Sequence, residues 1–173
     1  MKKEESNQGN IPLILNSYDD IFSDFDPRGF NERALSDDFL QEAKRAARDK
    51  DGKIELILMI PKAKRSSGDE FKIKKRLNAH FIHHFSEEER KVKRIKTEGI
   101  LWFFIGGVLM FLAALLYQKE GFIFIFLEIL LTPAGWFMFW EGLDKVFITA
   151  RESEPEYRFY KKMINADIMF ESY

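Results

Sequence analysis

The sequence predicts a membrane α-helical hairpin joined to a small α/β (α+β) cytoplasmic domain with about three strands and two or three helices. Two apolar runs in the middle of the chain predict the hairpin: Ile100–Tyr117 is 18 residues without a charge, and Phe122–Trp140 is 19 residues whose only charge is Glu128. Three short alternating segments in the polar flanks predict the sheet.

Each apolar run approaches the ~20 residues that cross roughly 30 Å of hydrocarbon. The polar turn Gln118-Lys119-Glu120-Gly121 makes the pair, residues 100–117 and 122–140, an antiparallel hairpin. Much of the phenylalanine, 18 residues in all, falls here. Residues 1–10 form a polar tail with no apolar leader stretch. Flanking charge sets the orientation. Arg90, Lys91, Lys93, Arg94 and Lys96 precede the first run, Lys145 and Arg151 follow the second, and the turn carries only Lys119. Positive residues stay on the cytoplasmic side, so both termini are expected in the cytoplasm, with the hairpin in the cell (inner) membrane. Trp102, Trp136 and Trp140 mark the same interface.

Residues 11–98 and 141–173 would make the cytoplasmic domain. Ile11, Leu13 and Leu15 alternate as a half-buried strand does, as do Ile54, Leu56, Leu58 and Ile60, ended by Pro61, and Ile164, Ala166, Ile168 and Phe170. A lone strand cannot bury its apolar face, so the three are expected in one sheet. Ser36 is placed to cap a helix carrying Phe39, Leu40, Ala43, Ala46 and Ala47. After Ser66-Ser67-Gly68, Asp69 is placed to cap a second, with the stripe Ile73, Leu77, Phe81 and Phe85. Ser86-Glu87-Glu88-Glu89 has the form of a capping box, which predicts a new helix running into the first apolar run. With these helices on one side, Ile14, Ile57, Met59 and Met169 remain on the other sheet face as a candidate oligomer contact.

The net charge of −1 hides an asymmetry: residues 1–40 carry 4 basic and 9 acidic side chains, residues 41–98 carry 17 and 10. A basic helical region therefore follows an acidic arm. Mutual neutralisation, or contact with anionic lipid headgroups, accounts for it without nucleic acid. The cluster Arg90, Lys91, Lys93, Arg94 and Lys96 is expected at the lipid surface, at about 1 kcal/mol per residue. There is no cysteine, which excludes disulfides, thiolate nucleophiles and Cys-based zinc sites.

Four features carry candidate chemistry. Glu128 lies roughly six residues, or ~9 Å, inside the second run, where a charge is costly and a functional carboxylate is the default reading; a protonated, hydrogen-bonded carboxyl is the alternative. Pro133, with Gly135, is expected to kink or loosen that helix, and Gly106-Gly107 permits close helix approach. His80, His83 and His84 have a spacing that can bind zinc or nickel on one helix face, with Glu87 and Glu88 nearby; a solvated helix flank is the plainer account. Asp24 and Asp26 form a D-x-D that Asp19 and Asp20 can join around Mg²⁺, although such residues also build turns. Tyr18, Phe22 and Phe25, interleaved with these acids, suggest an arm that docks on its own domain or a neighbour. No phosphate loop, G-x-S-x-G, H-E-x-x-H or kinase set occurs, so no cofactor is implied and no reaction is indicated.

Pro133-Ala134-Gly135-Trp136-Phe137, followed by Trp140-Glu141-Gly142-Leu143-Asp144-Lys145, resembles a segment of uncharacterised prokaryotic two-span membrane proteins, as does Tyr18-Asp19-Asp20-Ile21-Phe22-Ser23-Asp24-Phe25-Asp26-Pro27-Arg28. The resemblance implies the two-span architecture and a bacterial or archaeal source, and brings no catalytic residues. The expected function is a non-enzymatic integral membrane protein, with the lipid bilayer as one partner, whose domain self-associates or docks a protein. The alternatives are an oligomeric channel or ion-coupled protein using Glu128, and a metal-dependent membrane enzyme using Asp24, Asp26 or the histidines.

Overall fold

The computed structural model describes residues 9–50 and 52–173. By internal contact the chain divides into two units: residues up to Ser86 with Arg158–Tyr173, and Glu87–Tyr157. The proposed tail 1–10 lies outside the described residues except at Gly9 and Asn10, and Asn10 already belongs to a strand.

The first unit is built on a three-stranded, all-parallel sheet in the order β1 (Asn10–Ile14), β2 (Glu55–Ile60), β3 (Asp167–Ser172). All three strands are those the alternation predicts. The third starts later than its pattern: Ile164 and Ala166 lead into it and pack only partly against the core. The register puts Ile11, Leu56 and Ile168 in one row across the sheet and Leu13, Leu58 and Phe170 in the next. Of these, Ile11, Leu56 and Leu58 are fully buried. Each such side chain contributes about 2 kcal/mol by leaving water.

Three helical segments fill the core on that face. α1 (Asp37–Ala47) buries Phe39, Ala43 and Ala47, spaced one turn apart. Ser36 stands at its N-cap and its carbonyl accepts from the Leu40 amide, but the predicted side-chain cap is not made. The N-terminal part of α2, which spans Ser67–Leu116, buries Ile73, Leu77 and Phe81. Its start is set by Ser66, whose carbonyl accepts from Glu70 and whose hydroxyl accepts from the Asp69 amide, rather than by Asp69. The third, labelled α4 (Glu154–Met163) because α3 (Phe122–Asp144) precedes it in the chain, buries Phe159 and Met163 and is not among the helices the sequence predicts. Pro155 in its first turn looks like a breaker, yet a first-turn proline gives up no helical bond.

The predicted helix break at Ser86 is wrong. α2 runs unbroken for 50 residues. The Ser86 hydroxyl donates back to the His83 carbonyl at 2.7 Å, the bond a mid-helix serine makes, instead of capping a new start.

In the second unit, α2 continues to Leu116 and α3 begins at Phe122, after Gly121 turns the chain at φ +123°. These helices are long and apolar enough to cross a membrane. α3 passes through Pro133 without a break as far as Asp144. Its departure from α geometry comes later, in a π-helical turn at Lys145–Thr149, before a last turn at Ala150–Glu152. The Thr149 hydroxyl donates to the Asp144 carboxylate at 3.0 Å and pins that turn.

Candidate functional site

The acidic arm is consumed by its own domain. Tyr18, Ile21 and Phe22 are buried in the core, and Tyr18–Ile21 form a 3₁₀ turn capped reciprocally by Ser17 and Asp20. Asp19 and Asp24 both lie against Arg33, at 2.5 and 3.8 Å. Both carboxylate oxygens of Asp26 accept from the Arg28 guanidinium, and the Arg28 and Ala34 amides donate to it as well; the guanidinium holds its carboxyl well below the usual carboxylate range. The D-x-D pair thus serves arginines and backbone amides. Phe25 alone among the arm's aromatics is left out, at 98% exposed.

The histidine rings lie against one another, tilted rather than stacked. The His80 and His84 rings are 4.2 Å apart between centroids, and His84 lies over Tyr160 of α4 at 5.4 Å. His80 Nε2 is buried and has no hydrogen-bond partner among the described residues. Burial, and then the neighbouring His84, push the His80 imidazole down to about 4. Among the described residues, no group of three or more His, Asp or Glu side chains is gathered to hold a metal.

The hairpin is closed by residues with almost no side chain. A methyl added at Gly106 would stand 2.4 Å from the Phe139 amide and 2.6 Å from the Gly135 carbonyl; at Gly142 it would stand 2.4 Å from the Phe103 amide and 2.6 Å from the Gly99 carbonyl. Gly99 thus opposes Gly142, and Gly106 opposes Gly135, seven residues apart on each helix. Gly107, which the sequence pairs with Gly106, meets nothing. Ala113 takes the next position on α2 and is buried; Glu128 takes the corresponding position on α3. Glu128 is half-buried, and among the described residues it makes no hydrogen bond or ion pair. With the seam made of glycine and alanine, the large side chains point outward: Phe104, Val108, Phe111, Ile125, Phe126 and Ile129 are all exposed.

The basic cluster is mostly neutralised along its own helix. Lys91 pairs with Glu88 at 3.6 Å, Lys93 with Glu89 at 3.3 Å, and Arg94 with Glu98 at 2.8 Å; Arg90 has a partner too. Beyond α3's apolar stretch, Lys145 pairs with Glu141 at 3.7 Å. Lys96 and Arg151 differ: neither has an ion pair or hydrogen bond among the described residues, and both line one cavity of about 310 Å³. Glu154 and Tyr157 supply its remaining polar wall, and Val92, Val146 and Phe147 an apolar one. The sequence offered Arg151 only as a flanking charge, and gave no sign of Glu154 or Tyr157. No family model, curated protein or solved structure matches the chain.

Proposed function

We propose that the protein is a non-enzymatic, membrane-anchored docking module: the hairpin holds it in the bilayer, and the open sheet face takes an amphipathic, basic helix of a partner protein. The one-sided sheet carries this reading. All-parallel sheets are almost always covered on both faces, whereas here the core helices lie on one. The opposite face carries the row Pro12, Ile57, Met169 and beside it Ile14, Met59, Glu171; Ile14 is 71% exposed and Pro12 is exposed, while Ile57 in the central strand is buried and Met59 and Met169 are half-buried. Strands ~4.8 Å apart make a three-stranded face about 10 Å wide, the diameter of one helix. The charged residues on that face, Glu55, Asp167 and Glu171, are all acidic, and of the bases around it Lys53 is held by Asp167 at 2.6 Å. A second copy of the same face would bring acid to acid, so a basic helix fits better.

Membrane anchoring is supported by the glycine seam, which leaves an outward surface suited to lipid. Because the chain lacks cysteine, single cysteines report topology. Gln118→Cys is expected to react with an impermeant maleimide from outside intact cells, and Asn165→Cys only after permeabilisation. Carbonate extraction that releases the chain sinks the anchor.

Docking is tested on the full chain in lipid nanodiscs with ¹³C-methyl methionine. A leucine–lysine helical peptide is expected to shift Met59 and Met169 but not the core Met163, a leucine–glutamate peptide to shift neither, and Ile14→Glu with Met169→Glu to abolish binding. Equal response to both peptides, or to neither, removes this reading.

A second reading attaches to Glu128, the unpartnered carboxylate on the helix seam, as the site of an ion-coupled or channel-forming oligomer. Its test is proton or cation flux in liposomes, expected to change in Glu128→Gln; absence of flux with the unmodified chain rules it out.

A further inference from the structure

We propose that the cavity between Lys96 and Arg151 is a binding site for the phosphodiester headgroup of an anionic phospholipid. The inference rests on the membrane-anchored reading and gives that anchor a specific lipid.

Charge is the first argument. The neighbouring bases Lys91, Lys93, Arg94 and Lys145 each sit against a carboxylate of their own helix. Lys96 cannot, since positions three and four away on either side are Val92, Lys93, Gly99 and Ile100. Arg151 likewise makes no pair among the described residues. Lys96 and Arg151 thus bring two positive charges to the cavity, while Glu154 in the same wall has a partner of its own; a phosphodiester supplies the anion the two cations lack.

Shape is the second. The π-helical turn at Lys145–Thr149 shifts the residues after it out of α-helical phase, and Val146 and Phe147 of that turn form the apolar wall with Val92. Such turns recur at functional sites. Headgroup oxygens meet the two cations and the Tyr157 phenol, while the glycerol and first acyl carbons meet the apolar wall.

Depth is the third. Lys96 precedes the apolar run at Ile100 by four residues, about 6 Å of helix. The headgroup layer is roughly 5–8 Å deep on each side of the hydrocarbon. Lys96 stands at this level, whereas Arg151, eleven residues past Trp140, stands about 16 Å of helix beyond the second run, so the cavity opens from the headgroup layer toward the basic side; basic pockets between membrane helices on that side hold acidic headgroups.

The test uses the full chain in phosphatidylcholine nanodiscs with and without phosphatidylglycerol, with retained lipid counted by native mass spectrometry. Two cations at ~1 kcal/mol each correspond to about a 30-fold loss of phosphatidylglycerol retention in Lys96→Gln/Arg151→Gln. Lys93→Gln/Arg94→Gln, which removes two paired bases of the same layer, is expected to leave retention within about twofold. Equal loss in both double variants, or none in the first, overturns the site. Displacement of the lipid by inorganic phosphate reassigns the source to a soluble anion and overturns the lipid assignment. Carbonate extraction of the same preparations separates the two readings: resistant protein with unchanged lipid retention refutes the cavity alone, and extractable protein refutes the anchor.

Discussion

The Lys162 ammonium ends on the carbonyl of Ala47, 115 residues earlier in the chain, at 3.0 Å, and reaches Lys50 and Arg48 carbonyls at 2.5 and 3.4 Å. α1 ends at Ala47 with its last carbonyls unpaired by the helix, and a cation there both donates to them and opposes the helix dipole. Lys162→Met keeps the apolar stem and deletes the donors. We expect a loss of about 1–2 kcal/mol in domain stability, measured as amide exchange protection in β2; unchanged protection would show the contact to be idle.

The glycine seam makes a sharp prediction with its own control. Gly106→Leu forces the two helices apart because the added atoms meet only the Phe139 and Gly135 backbone, and Gly135→Leu does so because, behind the Met110 side chain at 2.8 Å, they meet the Met110 amide at 2.9 Å and the Gly106 carbonyl at 3.0 Å. The neighbouring Gly107→Leu meets open space and is expected to be tolerated. Disulfide trapping between cysteines placed at Phe103 and Phe139, whose rings lie 4.5 Å apart, reads helix proximity: trapping should fall sharply in the first two variants and persist in the third.

His80 gives the first unit an acid sensitivity. An ordinary imidazole titrates near 6.5 and the folded one near 4, displaced by burial, His84, Arg76 and His83. The unfolded chain therefore takes up the proton first. The contribution is full above pH 6.5 and is lost as pH falls through 4. In His80→Gln the difference between stability at pH 7 and at pH 4.5 should shrink; an identical pH profile would place the effect elsewhere.

Phe22 and Phe25 separate the packed part of the arm from the free part. Phe22 is 2% exposed and stacks on Phe30 at 5.3 Å, whereas Phe25 is free of the core. Phe22→Ala is expected to cost about 3–5 kcal/mol and Phe25→Ala less than about 0.5 kcal/mol, measured by urea unfolding of the full chain in detergent.

Local patterns explain what could be read in advance. Alternation named all three strands because each turns one face to a core and the other outward. The apolar runs were legible because charge is absent from them over a full helix length. The continuous helix at Ser86 is not legible because a serine followed by acids looks the same whether its hydroxyl caps a new helix or bonds back to the preceding turn. Only the neighbours' path decides, and His83 and His84 stay helical. α4 was missed behind Pro155. The seam needed both helices: Gly106 was visible as small, but its use depends on Gly135, and Gly107 looked equivalent. Arg151 and Lys96 are 55 positions apart, so their shared cavity has no local signature, although the missing carboxylate partners of Lys96 were in plain view.

The strand that completes the sheet, β3, is encoded after both long apolar helices. While the ribosome is still making α3, β2 has only β1 beside it, and the core lacks Phe159, Met163, Ile168 and Phe170. The α/β domain therefore reaches its final form only after the hairpin has been synthesised. A folded domain certifies that the preceding helices have been made, and a chain that ends within α3 leaves the β2 edge without its β3 partner.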